Sequence, residues 1–146
     1  MQGTAEKFID ANVLVYAFDS SEPKKKAVAE GILKECFKGK ECFAVSTQVL
    51  SEFFVAVTCK IQKPLDSETA GRIVKNFLKF KRIKTLAVKP STLAAAVNAN
   101  ATTKAHFWDC LIAETMKENN VLKIITENQK DFEKMQGIIV VNPFKK

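Results

Sequence analysis

The chain has 146 residues, of which 47% are hydrophobic and 27% charged, and its formal net charge is +7. That length buries roughly two-thirds of the unfolded surface, so a core needs no disulfide or structural metal to hold it. No apolar run approaches bilayer length and MQGTAEK carries no targeting pattern, which leaves a cytoplasmic, single domain over 1–146 as the expectation and no membrane partner. Cys36, Cys42, Cys59 and Cys110 lie far apart with a single histidine in the chain, which argues against zinc and for reduced thiols in the core. The positive charge suits a polyanionic partner. Its individual clusters are less specific: Lys24–Lys26 and Lys145–Lys146 fit solvated faces, and Lys79, Lys81, Arg82 and Lys84 around Phe77 and Phe80 fit surface cations over core aromatics.

In chain order, Phe8 and Ile9 end a buried strand, and Asp10, Ala11 and Asn12 break it before Val13, Leu14, Tyr16, Ala17 and Phe18 resume burial. Ala27, Val28, Ile32, Leu33, Cys36 and Phe37 recur at helical spacing, and Gly39 ends that helix. Cys42 to Val45 is a short strand, followed by a helix capped by Ser46 or Thr47, with Val49, Leu50, Phe53, Phe54 and Val57 on its buried face. Asp66 or Ser67 starts a helix through Phe77 and Leu78. Ile83–Val88 reads as a strand, and Pro90 opens an Ala-rich helix to about Asn100. His106 to Asn120 is a mostly buried helix with Asp109 in its first turns. Leu122–Ile125 and Ile138–Val141 are the last strands. Alternation of strands and helices predicts an α/β fold.

The acids stand where this pattern places ligand chemistry. Asp10 follows a strand, at the carboxyl edge where open α/β sheets bind ligands, although taken alone it reads first as a cap of the next helix. Glu52 lies among a Val, Leu and Phe stripe and must sit at the stripe's edge or find a cation or donors. Asp109 near a helix N-terminus is favoured by the helix dipole as well as by any cation. His106, one turn earlier, can face the same site or serve as a cap. Thr126, Glu127, Asn128 and Asp131 crowd the end of another strand, where Thr126 or Asn128 can cap.

Taken together, FIDANVLVYAF, STQVLSEFF, FWDCLIAETMKENN and IITENQKDFEKMQGIIVVNPF resemble the PIN domain, in particular VapC-type toxin ribonucleases and their FitB-like relatives. The resemblance spans essentially the whole chain. It implies a three-layer α/β/α sandwich around a mainly parallel sheet. It also implies a site in which Asp10, Glu52 and Asp109 bind Mg²⁺ or Mn²⁺ and cleave single-stranded RNA, leaving 5′-phosphate and 3′-hydroxyl ends. Asn12 and Thr126 would orient these ligands. Many relatives carry a further acid where this chain has Asn128; either Asp131 substitutes for it as a ligand or Asn128 orients a metal-bound water. A homodimer and a small antitoxin partner are also implied.

Hard carboxylate ligands and the lack of a Ser/His or Cys/His pair favour water as the nucleophile over a covalent route. Two other readings compete. One is a catalytically weak PIN-like RNA-binding or RNA-processing scaffold, in which the acids serve as caps and Asn128 marks the degeneration. The other is a phosphatase of the haloacid-dehalogenase kind acting through Asp10, which the sequence disfavours because the second acid of D-x-D is Asn12.

Overall fold

The computed structural model describes residues 5–39 and 41–145. Five strands form one sheet in the order β3-β2-β1-β4-β5, and every pairing is parallel. They are β1 (Lys7–Ile9), β2 (Phe43–Ser46), β3 (Ile83–Leu86), β4 (Lys123–Ile125) and β5 (Ile139–Val141). All four residues of β2 are buried, on both faces of the pleat, as expected for a parallel sheet covered by helices on either side. The fold is therefore the expected α/β sandwich, with a wholly parallel sheet. The chain runs from β1 outward to β3, then returns to place β4 on the other side of β1. This reversal opens a crevice beyond the carboxyl ends of β1 and β4.

The helices follow their sequence signals closely. Asp10 caps α1 (Ala11–Tyr16), Ser46 caps α3 (Thr47–Val55) and Asp66 caps α4 (Ser67–Lys79), each by a side-chain oxygen accepting a main-chain N–H. Pro23 and Pro90 open α2 (Pro23–Lys38) and α5 (Pro90–Thr103), where a missing N–H costs nothing. Gly39 closes α2 at φ +79°, a left-handed conformation that favours glycine. Helices α6 (Phe107–Glu118) and α7 (Gln129–Phe132) flank β4 in sequence. Helix α1 packs on α2 and α3, α3 packs on α4, and α6 packs on α5 and α7.

Several expectations need correction. The buried stripe of α2 is Ala29, Leu33 and Cys36; Ala27 and Val28 face out, and Phe37 is 52% exposed, held edge-to-face against Phe80. The helix meets the core along one narrow line, so residues a third of a turn away lose their partners. All four cysteines are free, but only Cys36 and Cys110 are buried; Cys59 is exposed on a π-helical turn, Ala56–Lys60, that continues α3 outward. Strand β3 ends at Leu86 rather than Val88, and α5 runs three residues past Asn100. Among the described residues no helix is long and apolar enough to cross a membrane.

Candidate metal centre

Asp10 is 5% exposed, and its position is fixed by both strands of the crevice. Its main-chain N–H donates to Ile125 O at 3.0 Å, which continues the β1–β4 ladder one residue beyond the strands. Its Oδ1 accepts from Ala11 N–H at 2.7 Å, and Oδ2 accepts from the Thr126 hydroxyl at 2.7 Å. The cap expected of Asp10 is therefore real, yet it uses only one carboxylate oxygen. Thr126, fully buried, also accepts from Asn12 Nδ2 at 3.2 Å and from Asn128 N–H at 2.9 Å. One donated and two accepted bonds exhaust a hydroxyl, so Thr126 ties β1, α1 and the β4–α7 turn at a single atom. Asn12 completes the tie: its Nδ2 reaches Asp10 Oδ2 at 3.4 Å, and its Oδ1 accepts from Glu127 N–H at 3.2 Å.

Asp109 arrives from the first turn of α6, and Asn128 Nδ2 donates to its Oδ2 at 2.5 Å. The same amide nitrogen lies 3.5 Å from Asp131 Oδ2. Glu52 comes from α3, half-buried at the edge of the Val49, Leu50 and Phe53 stripe, with Gln48 Nε2 donating to its Oε1 at 2.7 Å. Glu52, Asp109, Asn128 and Asp131 line one open cleft of about 1160 Å³, together with Asn12, Gln48, Trp108 and the exposed His106.

The charges interact. Burial, with a smaller contribution from Glu52, pushes Asp10 up to about 6 despite the bonds from Thr126 and Ala11. Burial first, then the carboxylates of Asp10, Asp131 and Glu52, push Asp109 up to about 7. Asp131 goes the other way: burial raises it, but hydrogen bonds from Asn128, Asp109 and Lys134 outweigh that and hold it below the ordinary range. Among the described residues no Lys or Arg pairs with Asp10, Glu52 or Asp109, whereas Lys134 lies 3.4 Å from Asp131. Nor do three His, Cys, Asp or Glu side chains there already stand as a ready ligand set. Each acid is instead held by a neutral donor, Thr126, Gln48 or Asn128, as expected where like charges stand apart without a cation. All-oxygen donors carrying uncompensated charge suit a hard divalent ion. The residues fit such an ion.

Sequence reasoning passed over three features. Gln48 lies four residues before Glu52, the spacing of one helix face, and that was the available signal. The Lys24–Lys26 run conceals Lys25, which donates to Glu127 Oε2 at 2.6 Å and to Tyr16 Oη at 3.2 Å, while the Tyr16 hydroxyl donates to Glu127 Oε1 at 2.5 Å. This cluster braces the turn carrying Thr126 and Asn128, and nothing local in the sequence announces it. Trp108 is exposed beside the half-buried Asp109, whereas Cys110 to Ala113 further along α6 are buried. Asp10, enclosed with both oxygens bonded, is also a poor match for an exposed phosphate-accepting nucleophile.

The PIN domain family model matches residues 7–138. This chain belongs to the PIN-domain family. A chain of a toxin–antitoxin complex from Klebsiella pneumoniae is 18% identical over 96% of this chain and 99% of that one, with a TM-score of 0.66. VapBC2 from Rickettsia felis, bound to a DNA fragment from its promoter, is 20% identical over 93% of this chain and 97% of that one, at a TM-score of 0.63. VapC20 from Mycobacterium tuberculosis, a sarcin–ricin loop cleaving toxin, is 9% identical over 84% and 92% of the two chains, at 0.67. These likenesses describe a shared PIN fold. No curated protein matches the sequence significantly.

Proposed function

We propose that this PIN domain, a single unit over 1–146, is a divalent-metal-dependent endoribonuclease and the toxin of a cytoplasmic toxin–antitoxin pair. The observation that carries the reading is the set of carboxylates in the crevice without a Lys or Arg partner, two of them with raised pKa values. Uncompensated buried charge is costly, and it is retained where a bound cation repays it. The toxin assignment is supported by two solved structures that share the fold, one named as a toxin–antitoxin complex and one as a toxin. An antitoxin and a second copy of the chain are the expected protein partners, and RNA the substrate.

Asp10, Glu52 and Asp109 would hold Mg²⁺ or Mn²⁺, with Asp131 at the outer edge. The ion supplies Lewis acidity and charge neutralisation to the hydrolysis of a phosphodiester by water. The protein's own work is orientation. Thr126 and Asn12 fix Asp10, Gln48 fixes Glu52, and Asn128 fixes Asp109, so each acid is oriented by a neutral donor before an ion would draw the three together. The cleft of about 1160 Å³ is open to solvent, and the net charge of +7 would draw an unpaired strand towards the protein.

Asn128 favours a second reading, a catalytically weak RNA-binding or RNA-processing scaffold, because it puts an amide where many relatives place an acid. One assay separates the two. Purified protein is incubated with a structured RNA pool in Mg²⁺, Mn²⁺ or EDTA, beside Asp10→Asn and Asp109→Asn. Metal-dependent cleavage that both substitutions abolish supports the nuclease. RNA binding without cleavage in any metal supports the scaffold, and equal cleavage by all three proteins identifies a contaminant.

A further inference from the structure

Trp108 is 53% exposed, on the helix that carries Asp109 and in the wall of the same cleft. Burying an indole is strongly favourable, so an exposed one beside a functional site is an unpaid opportunity for a ligand. It is also held in place. Gln48 Nε2 donates to Trp108 O at 3.0 Å while donating to Glu52 at 2.7 Å, so one amide ties the indole's main chain to a carboxylate of the metal centre. The Phe107 ring lies edge-to-face with the indole at a centroid distance of 5.3 Å, inside the range of about 4.5–7 Å usual for such pairs. Val55, 48% exposed, extends the apolar rim, and Lys60 adds a cation to it.

We infer that Trp108 is the platform on which an unpaired nucleobase next to the scissile phosphate stacks. The inference rests on the ribonuclease reading and adds a base subsite to it. A cleft of about 1160 Å³ far exceeds the space of a hydrated ion, given about 30 Å³ for each water. Its lining joins carboxylates to an indole and aliphatic side chains. A nucleotide has the same division, with a phosphate for the ion and a flat apolar base for the ring.

Trp108 is the only tryptophan, so its emission reports on this position alone. The full chain carrying Asp10→Asn, which leaves RNA uncut, is titrated in Mg²⁺ with a labelled single-stranded hexaribonucleotide and with an abasic sugar-phosphate of equal length. Label anisotropy measures binding independently of emission. The expected result is quenching that saturates with RNA binding and is small with the abasic strand. Trp108→Ala should weaken RNA binding about tenfold or more, as loss of a stacked base does, and change abasic binding less than twofold; Trp108→Phe should retain most of the affinity. RNA binding without quenching, or equal quenching by the abasic strand, overturns the platform and leaves the nuclease reading intact. Absence of RNA binding overturns both. Emission that changes with protein concentration before RNA is added assigns the indole to a contact between copies and also overturns the platform.

Discussion

The Asn128 amide donates to Asp109 at 2.5 Å and lies 3.5 Å from Asp131, so a neutral side chain stands between two acids of the crevice. Asn128→Asp replaces that donor with a third carboxylate. In EDTA near neutral pH the variant should melt lower, because like charges now face one another. It should also bind Mn²⁺ more tightly, by roughly tenfold or more, the scale on which groups around a metal tune its affinity. Calorimetric titration with Mn²⁺, together with melting curves with and without the ion, reads both effects. Unchanged affinity and stability would remove Asn128 from any role at the centre.

Stability without metal should fall as pH rises. Asp10 at about 6 and Asp109 at about 7 both lie above the ordinary carboxylate value of 3.8, so between these limits the folded chain holds protons that the unfolded chain has released. Their contribution is fully present below 3.8 and is lost as pH rises through about 6 and about 7. Asp66, Glu118 and Asp131 are shifted down, and the stability they contribute is lost only at more acid pH. Melting temperatures in EDTA should thus be higher near pH 5 than near pH 8, and Asp109→Asn should flatten the difference. A profile unaffected by that substitution would count against the charge crowding.

Thr126→Val keeps the shape of a fully buried side chain and removes its three hydrogen bonds. Leaving buried polar partners unsatisfied costs about 1–3 kcal/mol each; Asn12 Nδ2 keeps Asp10 as a partner while the half-buried Asn128 main-chain N–H loses its acceptor, so a total loss of about 2 kcal/mol is expected in urea denaturation. Asp10 also loses a bond that favours its ionised form, so the pH at which metal binding sets in should move upward. A destabilised variant with an unmoved metal-binding pH would make Thr126 a structural residue only.

Gln48→Leu should leave the fold intact, because Gln48 is only partly buried, yet free both Glu52 and the Trp108 carbonyl. Mn²⁺ affinity should weaken roughly tenfold or more. Gln48→Glu would be worse, since it sets a second carboxylate against Glu52. Equal Mn²⁺ affinity in the wild type and both variants would show that Glu52 needs no support.

The elements were legible because their signals are local. Pro23 and Pro90 open helices, Ser46 and Asp66 cap them, and Gly39 ends one, each through backbone chemistry that depends on a few neighbouring residues. Alternation of short apolar runs with helical spacing pointed to an α/β fold, and the mainly parallel sheet was what the resemblance to the PIN domain implied. Burial was less legible at the margins. Phe37 and Cys59 carry the composition of core residues, but whether a hydrophobic side chain is covered depends on the neighbouring element's path, which spacing along one helix does not contain.

The sequence by itself determined which acids the chain can offer, Asp10 after β1, Glu52 on α3 and Asp109 on α6, and where each lies in its element. Only the tertiary structure decided what surrounds them. The return of the chain from β3 to β4 brings Thr126 to Asp10 across 116 positions, Asn128 to Asp109 across 19, and Glu127 to Tyr16 across 111. Hydrogen bonds of that reach depend on strand order and register, so no local pattern encodes them. Capping is a contest among neighbours in the chain; charge crowding, and the donors that relieve it, arise where distant elements meet.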